Sequence, residues 1–337
     1  MPKLSKISFF LFVTIYNYLW LRIILFNNFY NSYGNMGFWY GLLIIGIVFI
    51  ILLSIPKRLF EKDYKDAFKK SKIKYLYSVF LILESILGLC FCAYLLSQIL
   101  ILEANPLIVL TFLVLTIGFL SKLIPYQIME ISTIFNIVGY LILIVSMIAY
   151  PSVDISILFP LGELNIGVIV FFSLMVLADN FSLLINKEGI KFNKYIFIFA
   201  ILFALLMFAL EYMVVICSVG EEFLKGVNWV GFVCLSIKPV QKYIGNFDFA
   251  YIYYIIVCCI FKYSYNLSII RNSFAIKNWV MGVIISFLLI VSCLIIYLLV
   301  PMNNQYFSYG TILLLISSFI FFWMLKECYL VKQIEGK

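Results

Sequence analysis

The chain has 337 residues; 65% are hydrophobic, 12% are charged, none is histidine, and the formal net charge is +8. A water-soluble domain carries about 25% charged residues, so this composition excludes a soluble globular protein, and its apolar richness excludes a disordered one. The missing His excludes His-based catalytic triads, His-ligated zinc and His proton shuttles.

What remains is an all-α polytopic membrane protein. A helical crossing needs about 20 mainly apolar residues. Ten stretches qualify as predicted spans: 7–26, 36–55, 75–101, 106–120, 124–149, 166–185, 195–219, 247–270, 279–299 and 306–325. Lys3 and Lys6 precede the first span as they would in a signal peptide. Its apolar run is longer than an h-region and no small-x-small site follows, so a retained helix is expected. The segment 56–74 mixes eight Lys/Arg with Glu61, Asp63 and Asp66 and is expected as a basic loop along anionic headgroups. Pro125 separates spans four and five by a sharp turn. Between spans five and six, 151–165 is an outer element held by Pro151 and Pro160. The longest outer segment is 220–246. Its apolar middle, Trp229 to Ile237, is too short to cross, so a short interfacial helix ended by Pro239 is predicted.

The basic residues assign the sides. With the N-terminus cytoplasmic, 19 of the 24 Lys/Arg fall in inner segments. Only Lys225, Lys238 and Lys242 are outer, and Arg22 and Lys262 lie within spans. Both termini are therefore expected inside. No basic face is separable from this topology, so no nucleic-acid partner is expected. The eight cysteines lie almost entirely in apolar runs at spacings that suit neither a metal site nor a disulfide framework. No metal and no cofactor is expected.

Six charges fall inside predicted spans: Arg22, Glu84, Glu130, Asp179, Glu211 and Lys262. Each costs about 2.5–3.5 kcal/mol or more in the bilayer centre and so points to function. Counting helix rise from each span end, Arg22 and Glu211 share the outer third and can pair. Glu84, Glu130, Asp179 and Lys262 form an inner layer of three acids and one lysine. That layer reads either as a wet inner vestibule or as ion pairs that fix the bundle. Among uncharged polar residues, Thr14, Asn17 and Trp20 lie along one side of span one at spacings of three. Tyr94 and Gln98 form an i, i+4 pair in span three, Ser173 is mid-span six, and Tyr263 and Tyr265 flank the inner part of span eight. Such residues either line a pocket or join helices by hydrogen bonds. Ten spans divide into a first half, 7–149, and a second, 166–325, of opposite topology, as in inverted-repeat transporters.

Ten spans in this length, a basic loop after span two and a long outer loop before span eight resemble the spore germination permeases. These are the B subunits of nutrient germinant receptors, in the amino acid–polyamine–organocation superfamily. Ile157–Asn165 (ILFPLGELN) resembles the family's apolar-Pro stretch before span six. Ser236–Ala250 (SIKPVQKYIGNFDFA) resembles its Pro-containing outer helix, with Pro239 and Asp248 at the matching positions. Span one here has no glycine, and span six has Gly167 only near its start. The resemblance implies a 5+5 inverted repeat of the amino acid permease type in the inner spore membrane, and a sensing subunit rather than an enzyme. It would bind a small nutrient, such as an amino acid, at the bilayer midplane between spans one, three, six and eight. A larger membrane subunit and a lipoprotein would be its partners. Thr14, Asn17, Tyr94, Ser173 and Tyr263 are the expected ligand contacts, with Asp179 and Lys262 gating the inner vestibule. Alternatives are a secondary amino acid transporter of the same superfamily, a membrane glycan polymerase, or a purely structural subunit. The polymerase would have only Asp154, Glu163, Glu221, Glu222 or Asp248 for acid–base work.

Overall fold

The structure, a computed structural model, describes residues 4–20, 34–100, 105–148, 154–159, 162, 164–165, 166–185, 187, 190, 192–219, 248–298, 316 and 319–327. The helices are α1 (Lys6–Trp20), α2 (Met36–Ser54), α3 (Lys57–Glu61), α4 (Lys65–Lys70), α5 (Ile73–Leu100), α6 (Pro106–Leu120) and α7 (Pro125–Ile148). After them come α8 (Ile166–Asp179), α9 (Phe181–Ile185), α10 (Lys194–Val219), α11 (Asp248–Phe274) and α12 (Asn278–Leu298). A short stretch at 319–327 is also helical. Among the described residues no strand forms; one isolated bridge joins Leu4 to Ile190. Five stretches are long and apolar enough to cross a membrane: Met36–Ser54, Ile73–Cys90, Ile166–Ile185, Lys194–Cys217 and Ile252–Phe274. The protein thus has the character of a membrane-embedded helical bundle. The outer segment 220–246, and most of 306–325, lie outside the described residues.

The helix ends follow from local sequence. Asn105 is extended and its side chain accepts from the Leu107 amide at 2.9 Å, with Pro106 at the first helical position. Asn165 caps α8 through the Val168 amide, and the Asn193 side chain receives the Tyr195 amide at the start of α10. Pro125 opens α7, so spans four and five are separate helices joined by a turn at 121–124, as Pro125 predicts. Ile55 is forced extended by Pro56 and ends α2.

Apolar packing sets the arrangement. α1 packs on α10, α7 and α11; α2 packs on α10 and α8; α5 packs on α11, α6 and α12; α6 packs on α12 and α11; α7 packs on α11. Close approach is bought by glycine: the Tyr263 ring of α11 lies where a Cβ on Gly88 of α5 would stand, and Tyr254 does the same over Gly139 of α7. Outward faces such as Ile108, Phe112, Leu115 and Phe119 on α6 remain exposed, as a lipid-facing surface requires.

The expected basic loop at 56–74 is instead folded. α3 and α4 bury Leu59, Phe60, Tyr64 and Phe68 against the bundle. Tyr64 and Phe68 face Trp323, and Phe60 meets Phe192 and Phe197. Apolar residues at alternate turns of a charged segment are what the basic composition concealed. The lysines here also have partners. Lys194 Nζ donates to the carbonyls of Leu53 and Ile55, at 3.1 and 2.7 Å, where α2 ends. Lys187 donates to Phe60 and Lys62, where α3 ends; Lys74 donates to Lys69 in the last turn of α4; Arg271 donates to Lys122 just beyond α6. Cations at helix C-termini satisfy orphan carbonyls and the negative end of the helix dipole.

Candidate buried polar site

The sixth predicted span, 166–185, tightens at one residue, Asn180, whose dihedrals stay right-handed helical at φ −77° and ψ −8°. α8 ends at Asp179, Asn180 forms a turn, and α9 resumes at Phe181. The Asn180 amide reaches back to Leu177 at 3.2 Å, a tight three-residue step. The Asn180 side chain donates to Val176 at 2.7 Å. Asn and Asp compete for backbone groups in this way and weaken helix interiors. The tightened step therefore arises from Asp179-Asn180 without a glycine. Span one, by contrast, is one uninterrupted helix through Trp20.

Polar residues from four helices converge on this step. Lys262 of α11 places Nζ 2.6 Å from Asp179 Oδ2 and 3.3 Å from Glu84 Oε1 of α5. The three side chains are 0%, 6% and 1% exposed, in that order. The ammonium also lies 4.2 Å from the centre of the Tyr16 ring of α1, a cation–π contact. Tyr16 Oη pairs with Ser182 Oγ at 2.7 Å and donates to Asn266 Oδ1 at 3.0 Å. Asn266 Nδ2 returns to Glu84 Oε2 at 3.3 Å, which closes a ring of contacts through α1, α11 and α5. Beside it, Asn17 and Asn180 bond reciprocally at 2.9 and 2.6 Å, and Asn17 Nδ2 also donates to Val13. Charge-assisted bonds of this kind are short and strong in a low dielectric.

The residues singled out in the sequence are distributed unevenly around this network. Glu84, Asp179 and Lys262 come together as the inner layer predicts. Glu130, the fourth member of that layer, is on an exposed face of α7, apart from the other three. Asn17 belongs to the network. Thr14 bonds Phe10 at 2.8 Å and reaches Ala200 of α10 at 3.5 Å. Ser173 bonds Ile169 within α8, and Tyr263 packs over Gly88. All four are at most 2% exposed and held by protein groups. Glu211 accepts from Tyr18 of α1. Its expected partner Arg22 lies outside the described residues, as do the side chain of Tyr94 and that of Asp248. Of the acids weighed for an enzymatic reading, Asp154 caps a 3-10 turn at Ile155–Leu158. The Ser156 hydroxyl and amide hold its carboxyl below the ordinary aspartate range. Glu163, Glu221 and Glu222 lie outside the described residues.

Tyr16, Asn180, Ser182 and Asn266 belong to the site and were not singled out from sequence. Asn266 is one helical turn beyond Lys262, and Asn180 is next to Asp179, so both carried a readable signal. Tyr16 and Ser182 carried none beyond being polar in apolar runs. Among the described residues no three Cys, Asp or Glu side chains are grouped to hold a metal ion. No protein-family model matches the chain, and no curated protein matches it.

Proposed function

We propose that the chain is a ten-span permease-fold subunit of the kind found in spore germinant receptors, sensing a small nutrient such as an amino acid at the bilayer midplane. The observation that carries this reading is the Asp179-Asn180 step. A spanning helix with a tightened step at Asn180, bonded there to Asn17 of the first predicted span and at Asp179 to Lys262 of the eighth, is an element that a bound solute can bias.

Part of the helix pairing, though not α5 on α6 or α1 on α11, fits a 5+5 inverted repeat. Exchanging each predicted span for the one five later turns α1 on α10 into α8 on α2, and α5 on α12 into α11 on α6. The pairs α2–α10, α5–α11 and α6–α12 map onto themselves. Every one of these pairings occurs. The capped basic residues share one end of the bundle with the 57–70 helices, which fits cytoplasmic termini. Solute binding would shift the step and pass that bias to a larger membrane subunit and a lipoprotein in the inner spore membrane.

The test is cysteine labelling at Asn17→Cys and Ser173→Cys in the full chain with its native cysteines replaced, in vesicles, with each of the common L-amino acids. At least one amino acid slows labelling severalfold at both positions. Unchanged labelling with all of them refutes the sensor reading. The buried ionic cluster favours one second reading, secondary amino acid transport, and saturable uptake into the same vesicles identifies it.

A further inference from the structure

Two carboxyls and one ammonium meet in the interior. If both acids were ionised, the cluster would carry an uncompensated negative charge where almost no solvent reaches. A buried excess charge is far more costly than a paired one. The geometry shows how this is avoided. One ammonium touches both carboxyl groups and so holds them side by side: Lys262 Nζ is 2.6 Å from Asp179 Oδ2 and 3.3 Å from Glu84 Oε1. Two carboxyl groups crowded on one buried ammonium cannot both stay ionised without excess charge, and a proton on one of them removes that excess. Among the described residues Asp179 Oδ1 is moreover buried without a hydrogen-bond partner. Among the described residues the phenols of Tyr16 on α1 and Tyr77 on α5 also face the pair.

We infer that Glu84 and Asp179 share one exchangeable proton, so that the buried cluster is neutral and forms a proton-binding site between α5, α8 and α11. The inference concerns charge alone and holds whichever solute the bundle binds. In the bound state one of the two carboxyls is a neutral acid, and Lys262 balances the charge of the other. Release transfers the proton to water and leaves two carboxylates against one ammonium. Asp179 is the last residue of α8, so the resulting repulsion acts directly on the step at Asn180. Proton occupancy and the geometry of that step are thereby linked.

Infrared spectroscopy of the full chain in lipid vesicles reads the neutral-acid carbonyl stretch directly. At pH 7 the wild type shows one such band that Glu84→Gln removes and Asp179→Asn also removes, because either change leaves a one-to-one ion pair. Lys262→Met doubles the band, since both acids then take protons. Circular dichroism confirms folding of each variant, and the two amide variants decide the matter even where Lys262→Met fails to fold. A wild type whose spectrum at pH 7 matches those of both amide variants overturns the inference. So does a wild type without the band whose melting temperature rises in sodium chloride over choline chloride, which would assign the balancing charge to a metal cation.

Discussion

Two populations of basic side chains are neutralised in different ways. At the basic end of the bundle, Lys187, Lys194, Lys74 and Arg271 donate to main-chain carbonyls near helix C-termini. In the interior, Lys262 faces two carboxyl groups and an aromatic ring and has no solvent exposure. The difference is one of surroundings. Lys74, Lys194 and Arg271 are only partly buried, so partial charges on carbonyls suffice and solvent supplies the rest, whereas buried Lys187 adds the Tyr64 and Phe192 rings to its carbonyls. Enclosed by apolar helices, an ammonium needs full counter-charges, and these in turn need amide and hydroxyl donors.

The contrast breaks most sharply at Lys262. Lys262→Met strands two acids in the interior and is expected to cost about 3–5 kcal/mol, the usual penalty for removing one partner of a buried ion pair. Denaturant unfolding in mixed micelles measures it. A cost below about 1 kcal/mol would mean that the cluster is solvated after all. Gly88→Ala is the next largest. A methyl group at Gly88 meets the Tyr263 ring, and overpacking of this kind costs about 1–3 kcal/mol. Trimming the ring in the double variant Gly88→Ala/Tyr263→Leu should recover part of that cost, a coupling that a thermodynamic cycle reads.

Asn17→Ala removes the α1 half of the reciprocal amide pair and strands polar atoms of the Asn180 side chain. A loss of about 1–3 kcal/mol is expected by the same unfolding assay. Lys194→Met at the basic end removes one carbonyl cap and should cost only about 0.3–1 kcal/mol, shrinking as salt is added. A Lys194 effect as large as that of Lys262 would erase the distinction between the two populations. The smallest expected change is favourable. Ala275 closes α11 in the left-handed region at φ 49°, with the Ile276 amide bonded to the Arg271 carbonyl at 3.1 Å. Glycine adopts that conformation without strain, so Ala275→Gly should stabilise by about 0.5–1 kcal/mol.

Much of this molecule was legible before any coordinates. Long apolar runs located the helices, and Pro125 marked the turn between the fourth and fifth predicted spans, because a proline ring restricts backbone dihedrals locally. Charge in an apolar run identified Glu84, Asp179 and Lys262, and helix rise placed them at one depth. Glu130 had the same signature and went elsewhere, because depth along a helix says nothing about which face turns inward. The 57–70 segment was misread as a loop for a related reason. Its lysines dominate the composition, while its packing depends on four apolar side chains that find Trp323, Phe192 and Phe197 far along the chain.

Sequence alone pointed to the membrane-protein character, to the long apolar helices and to which charges sit in apolar runs. These are properties of single segments, set by transfer free energy and local backbone restriction. Tertiary structure decided which charges meet, that Tyr16 and Asn266 complete their shell, and that the sixth predicted span tightens at Asn180. Partners separated by more than 80 residues are chosen by how apolar faces pack, and no single segment encodes that choice.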